Sequence, residues 1–389
     1  MVEEKLEVFM KKLAPCIDKG ELDVCVEKAA QLAQETGIAA KELLRLSAEA
    51  GRDSLYALSY VLALATADRL DGAEKARAYN IAGVTAQYLG ESKKSEMYFK
   101  EAIEIDPKNT IAHINYASLL QDLDRKEEAE DQYYKVIQLD PKDAKPYNNY
   151  ARLLQDLGRK EEAEEQYKKA IELDSKYVIA RYNYANLLQD LDRKEEAGFQ
   201  YKKTIELDPK FIPARYNYAT MLHDFGRMDE AEEQYQKVIE LDPKHEAARI
   251  NYANLLKELG RKEEAEEQYK KAIELDPKYA AAYNSYANLL KELGRKEEAE
   301  EQYKKAIELD PKYAVAYNNY AILLNELGQK DEAESQYKKA IELDPKYASA
   351  YNNYATFLKY LGREEEAESQ YKKAIELDPK YAASHYNYG

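Results

Sequence analysis

Apolar and small residues along most of this chain fall three and four places apart, and the positions between them are densely charged. That period belongs to helices that bury one stripe and leave the rest in water. From Ala280 onward, Tyr283, Tyr286, Ala287 and Leu290 share one helical face, and Ala299, Tyr303 and Ala306 share a second. Between the stripes stands Gly294, suited to a left-handed helix end. After the second stripe comes Asp310-Pro311, where the residue before proline disfavours helical geometry. The pattern predicts a helix, a tight turn, a second helix and a stop.

The same pattern returns at a fixed interval. The proline of IELDP recurs at Pro107, Pro141, Pro209, Pro243, Pro277, Pro311, Pro345 and Pro379, always 34 residues or a multiple of 34 apart, with Ser175 in the one missing place. Nine units run from Ala76 to Tyr381 without insertion. Each unit is numbered so that this proline is position 32. Position 15 is glycine in seven units, Gly158, Gly226, Gly260 and Gly294 among them, and Asp124 and Asp192 in two, and aspartate tolerates the left-handed conformation moderately well. Small residues at positions 8, 20 and 27 let the paired helices approach closely. One hairpin cannot cover both of its apolar faces, so the units must stack.

A 34-residue period with these residues at positions 4, 7, 8, 11, 20, 24, 27 and 32 resembles the tetratricopeptide repeat (TPR). The chain departs from that family in preferring Tyr at position 7 and Ala for Gly at position 8, where only Gly83 keeps the glycine. Position 4 is Arg in three units, Arg181, Arg215 and Arg249. The resemblance covers 306 of 389 residues. It implies an all-α fold, a right-handed TPR superhelix (α-solenoid) whose concave groove is lined by the first helix of each hairpin. Residues 1–75 lie outside the period and predict helices over about 3–18, 21–35, 38–50 and 53–70, an irregular N-terminal helical cap. Residues 382–389 begin an incomplete tenth repeat, and the extra polar helix usual in the family is not among them. The expectation at that end is either a further segment or end-to-end self-association.

Charge narrows the function. Lys and Arg total 58 against 74 Asp and Glu, a net −16 with no basic cluster, which argues against nucleic acid and anionic membranes as partners. The most apolar run, Tyr56–Ala67, is too short to span a bilayer and reads as a buried cap helix. Cys16 and Cys25 are expected as two buried free thiols, with a disulfide across a helical hairpin as the alternative; so few cysteines suit a reducing, cytoplasmic setting. Charge runs such as RKEEAEEQYKKAIEL at 261–275 are expected as a solvated outer face carrying i,i+4 pairs Glu266–Lys270 and Glu267–Lys271. A charged-partner site is the other reading of that face. The four histidines share no metal-ligand spacing, and neither a phosphate loop nor a nucleophile elbow is present. The chain is therefore expected to be no enzyme and to need no cofactor or metal.

The candidate binding residues follow from recurrence. Position 6 is asparagine in Asn115, Asn149, Asn183, Asn217, Asn251, Asn319, Asn353 and Asn387, broken by Ile81 and Ser285. Asparagine is a poor residue inside a helix, so its repetition needs a cause. In the family, positions 2, 5, 6, 9, 12 and 13 of the first helix face the groove, and the row resembles the asparagine ladder of O-GlcNAc transferase and kinesin light chain. That resemblance implies that each amide holds the backbone of an extended peptide. The alternative is a structural bond between repeats, or plain duplication: residues 252–279 and 286–313 are identical. Further groove-facing candidates are Asn148, Asn284, Asn318 and Asn352 at position 5, Asn186, Asn254 and Asn288 at position 9, and Lys257, Lys291 and Lys359 at position 12. Heat-shock co-chaperones of the family clamp a C-terminal carboxylate with Lys at position 5 and Arg at position 6; this chain has neither there. The expected function is a protein-binding scaffold for an extended or disordered partner segment. The alternatives are a substrate-recruiting arm of an enzyme complex and a self-assembling structural array.

Overall fold

The computed structural model describes residues 2–379, with side chains from residue 7 onward. These residues form 22 α-helices and no strand. The first four are α1 (Val2–Ile17), α2 (Leu22–Thr36), α3 (Ala40–Arg52) and α4 (Tyr56–Ala67). Nine hairpins follow: α5 (Gly72–Tyr88) with α6 (Ser92–Ile105), α7 (Thr110–Asp122) with α8 (Lys126–Leu139), α9 (Ala144–Asp156) with α10 (Lys160–Leu173), and α11 (Val178–Asp190) with α12 (Lys194–Leu207). Then come α13 (Ile212–Asp224) with α14 (Met228–Leu241), α15 (Glu246–Glu258) with α16 (Lys262–Leu275), α17 (Ala280–Glu292) with α18 (Lys296–Leu309), α19 (Ala314–Glu326) with α20 (Lys330–Leu343), and α21 (Ala348–Tyr360) with α22 (Glu364–Leu377). The chain divides into two compact units, residues 1–207 and 208–389. The beginning of the tenth repeat, with Asn387 and the end at which self-association was expected, lies outside the described residues.

In the first unit, Phe9, Leu13, Cys25, Leu43, Tyr60 and Val61 make one core beneath α1–α4. Cys16 and Cys25 are bonded to each other across the α1–α2 hairpin, which corrects the expectation of free thiols. With the pair joined, cysteine chemistry no longer points to a reducing compartment. In the second unit one core runs from Ala219 to Tyr371, built from Ala, Leu and Tyr of successive hairpins. Among the described residues no helix is long and apolar enough to cross a membrane.

The turn between paired helices is as the spacing predicts. Position 15 has φ of +76° at Gly158 and +77° at Gly260, and Asp124 and Asp192 take the same left-handed conformation at +57° and +58°. The next amide then closes the helix end, as Arg125 N–H does onto Leu120 O at 2.8 Å. Gly83 has a separate reason. A Cβ there would lie 2.6 Å from Cε1 of the buried Phe99 ring.

Position 4 explains its own variability. Its side chain donates to the carbonyl of the position-32 residue six places earlier, sealing the loop between repeats. Tyr283 Oη reaches Pro277 O at 3.2 Å, and Arg215 Nε reaches Pro209 O at 2.9 Å while its Nη1 bonds Gln234 Oε1 at 2.8 Å. Tyr, Arg and His113 all carry a donor of suitable reach, so each serves.

The outer charge run needs correction. Glu266–Lys270 and Glu267–Lys271 are paired as expected. Glu266, however, is not simply solvated: it accepts from Tyr286 Oη at 2.8 Å and pairs with Arg295 Nη1 at 2.8 Å, both in the next repeat. The same node forms at Glu96–Tyr116–Arg125, Glu164–Tyr184–Arg193 and Glu334–Tyr354–Arg363. Partial burial works to raise the Glu266 pKa, but the bonds from Lys270, Arg295 and Tyr286 outweigh it and hold the carboxyl down to about 2. The node accounts for the Tyr preferred at position 7.

Candidate functional site: the inner wall of the first helices

Position 6 sits half-buried on the inner helices of both units. Five of its asparagines bond backward to position 5 of the preceding repeat. In the first unit, Asn115 Nδ2 donates to Asn80 Oδ1 and Asn183 Nδ2 to Asn148 Oδ1, both at 2.9 Å. In the second, Asn251 Nδ2 donates to Tyr216 Oη at 2.8 Å, Asn319 Nδ2 to Asn284 Oδ1 at 3.1 Å, and Asn353 Nδ2 to Asn318 Oδ1 at 3.1 Å. Asn318 Nδ2 donates in turn to Asn319 Oδ1 at 3.3 Å, so Asn353, Asn318, Asn319 and Asn284 form one continuous amide chain across three repeats. The structural bond between repeats, one of the two sequence readings, is thus present.

That geometry changes what position 5 can do. Asn148, Asn284, Asn318 and Asn352 were expected to face the groove, yet they are 2–4% exposed. Asn148, Asn284 and Asn318 are the acceptors of the next repeat's position 6, and a buried amide must be bonded in this way. Asn149 differs. The residue at position 5 of its preceding repeat is Ile114, which offers no acceptor, and Asn149 Oδ1 instead accepts from Asn148 Nδ2 at 3.2 Å.

Position 9 has a second internal duty. Tyr201, Tyr269 and Tyr303 at position 24 are fully buried, and each hydroxyl must find an acceptor. Asn186 Oδ1 accepts from Tyr201 at 2.6 Å, and Asn254 and Asn288 accept from Tyr269 and Tyr303 at 2.5 Å. Where position 9 is not Asn, another residue substitutes: Gln121 at position 12 takes Tyr133 at 2.7 Å, and Thr220 takes Tyr235 at 3.2 Å. Burial pushes the Tyr133 and Tyr235 hydroxyls up to about 12. The repeat from Ala314 is the exception. Ile322 stands at position 9, and Asn325 Oδ1 at position 12 is buried with no partner among the described residues.

Position 12 bonds forward to position 13 of the next repeat. Gln87 Nε2 donates to Asp122 at 2.6 Å and Gln155 Nε2 to Asp190 at 3.1 Å. His223 Nε2 meets Glu258 at 3.0 Å, and Lys257 meets Glu292 at 3.4 Å. Lys291 is half-buried at the equivalent place, and Lys359 is exposed. Of the three position-12 lysines, Lys257 is thus matched by acid at position 13 of the next repeat. Asn217, half-buried, stands on α13 in the second unit.

One hollow went unread in the sequence. α3, α4 and α5 border an open hollow of about 500 Å³ lined by Arg52, Tyr56, Asn80, Ile81, Val84 and Tyr88, among others. Two breaks in the repeat pattern marked it: Ile81 where position 6 is otherwise Asn or Ser, and Tyr88 where position 13 is otherwise mostly acidic.

Sequence models described as Tetratricopeptide repeat match residues 76–109, 111–143, 144–177, 178–211 and 280–313, with further matches at 200–233, 222–289, 302–335 and 336–369. No curated protein sequence matches the chain. Among solved structures, a tetratricopeptide repeat protein from Parabacteroides merdae is similar at 20% identity and a TM-score of 0.57, covering 63% of this chain and 97% of that one. Yeast Tom70 is similar at 17% identity and a TM-score of 0.52, covering 90% of this chain and 94% of its own. Both likenesses are of fold alone.

Proposed function

Because the chain belongs to the tetratricopeptide-repeat family, a fold that generally serves protein interaction, we propose that it is a non-catalytic scaffold holding an extended peptide or disordered partner segment along its inner helices. The observation that carries this reading is the half-buried amide repeated in seven of the nine hairpins. In Asn115 and Asn183 one N–H is used by the preceding repeat, and the second N–H and the carbonyl have no partner among the described residues. Such an amide is already fixed in direction, so little freedom is lost when it bonds a peptide backbone. Each contact is worth about 0.5–1.5 kcal/mol net.

A pull-down with cross-linking and mass spectrometry would identify a partner segment and its place on the chain. Asn149→Ala is the discriminating variant, because Asn149 makes no bond to a preceding position 5. Binding weakened by about two- to tenfold is expected. Unchanged binding by a partner cross-linked to the inner helices refutes the amide row as the ligand contact, and cross-links confined to the outer helices refute the groove.

A structural array with no dedicated ligand is the second reading. The internal bonds of positions 6, 9 and 12 favour it, as does the identity of residues 252–279 and 286–313. It predicts that no segment cross-links along the inner wall.

A further inference from the structure

The amide row stops at the first repeat, and the hollow begins where it stops. Ile81 takes the place of the asparagine, and Tyr56 and Tyr88 form one wall, stacked with centroids 4.3 Å apart and planes 3° from parallel. The polar groups of the floor are engaged: Asn80 Oδ1 accepts from Asn115, and Ser59 Oγ donates to Ser47 O at 2.8 Å. What remains to face an occupant is aliphatic surface from Ile81 and Val84 and the tyrosine rings. A space of this size with an apolar lining suits one large side chain, not a polar head group.

Arg52 stands at the same hollow, exposed and with no carboxylate paired to it among the described residues. In a chain of net charge −16, where many cations are matched by acids, an unmatched guanidinium beside an apolar recess is set for an incoming carboxylate. Arg152, also exposed and with no carboxylate paired to it among the described residues, lies one helical turn from Asn149 on α9. Adjacent first helices pack about 8–10 Å apart, so the three steps from α3 to α9 match about seven to nine residues of extended chain.

We infer that the hollow receives a large apolar side chain of the bound segment, with a neighbouring carboxylate on Arg52 and a second acid about seven to nine residues away on Arg152. The inference rests on the groove reading above and names the chemistry of the partner.

The test is selection of linear peptides from a random display library on the full chain, followed by titration of the enriched peptides against Tyr88→Ala, Arg52→Glu and Asn149→Ala. Tyr88 is 65% exposed and Arg52 is exposed, so both substitutions leave the core in place. Enriched peptides should pair Leu, Ile or Phe with Asp or Glu, and both hollow variants should weaken them by about tenfold. Arg52→Glu should also shift the selection toward basic neighbours. Enriched peptides lacking the pair, or bound equally by both hollow variants, overturn the inference; if Asn149→Ala still weakens them, the groove reading survives alone. A library that yields no enriched peptide overturns both.

Discussion

Replacing Asn254 by alanine takes away the acceptor of a hydroxyl that has no route to water. Tyr269 is fully buried, and its Oη lies 2.5 Å from Asn254 Oδ1. A buried hydroxyl left without a partner costs about 1–3 kcal/mol, while the better helix propensity of alanine returns about 0.5, for a net loss of about 1–2 kcal/mol. Tyr269→Phe removes the donor instead. Asn254 is only half-buried, so water can satisfy its carbonyl, and the loss is about 0.5–1.5 kcal/mol. In the double variant neither group is stranded, and the combined loss should fall short of the sum by about 1 kcal/mol. Residues 252–279 recur unchanged as 286–313, so Asn288→Ala and Tyr303→Phe form a second cycle of the same chemistry that should agree with the first. The reverse change is Ile322→Asn, which gives Tyr337 an acceptor at position 9 and should stabilise its repeat by about 0.5–1.5 kcal/mol. A repeat stack need not unfold in one step, so the assay is native-state hydrogen exchange read separately on α16, α18 and α20. A coupling below about 0.3 kcal/mol, or two cycles that disagree by more than about 0.5 kcal/mol, would refute the reasoning.

Gly83→Ala should lower stability by about 1–3 kcal/mol, because the new Cβ must displace the buried Phe99 ring; a thermal shift checks it, and Phe99→Leu in the same chain should recover part of the loss. Gln329→Arg should add about 0.5–1 kcal/mol, since Glu300 has Lys304 and Tyr320 but lacks the arginine that Glu266 and Glu334 receive from the next repeat; hydrogen exchange of α18 reads it. Stability should fall as pH drops from about 4.5 toward 2. The Glu96, Glu164, Glu266 and Glu334 carboxyls are held down to about 2 in the fold, so the unfolded chain binds more protons across that window. After solvent screening each node is worth about 1 kcal/mol, and Glu266→Gln should flatten the acid limb of a pH-dependent urea titration by its share.

Local rules made the helices and turns legible. Proline at position 32, glycine or aspartate at position 15 and stripes three and four apart act within a few residues, so the chain alone marks them. Most of what sequence reading missed lies 12 to 35 residues apart. The Glu266–Tyr286–Arg295 node joins residues 20 and 29 apart, so an i,i+4 reading found only its lysine. The clue was arginine recurring at position 16 in step with Tyr at position 7 and Glu at position 21. The amides at positions 5 and 6 likewise read from the chain as neighbours on one groove, although the bond that matters joins position 6 of one repeat to position 5 of the repeat before it. The Cys16–Cys25 pairing was within reach of the sequence but depended on how closely α1 and α2 approach.

Under the proposed function the first helices carry two loads with one set of side chains. On that proposal, an amide that anchors one hairpin to the last is also the group that meets the bound segment. Ligand affinity and repeat stacking should then rise and fall together at Asn115, Asn183, Asn251, Asn319 and Asn353, because removing any of them strands an acceptor at position 5. Loss of binding at those five positions alone cannot distinguish contact from collapse. Asn149 separates the two loads: it has the same place on its helix but no acceptor behind it. Its one internal bond is the 3.2 Å contact accepted from buried Asn148 Nδ2, so Asn149→Ala should cost about 1 kcal/mol of stability on either reading; a segment held by the amides should in addition lose affinity there, whereas a purely structural row should show the stability loss alone.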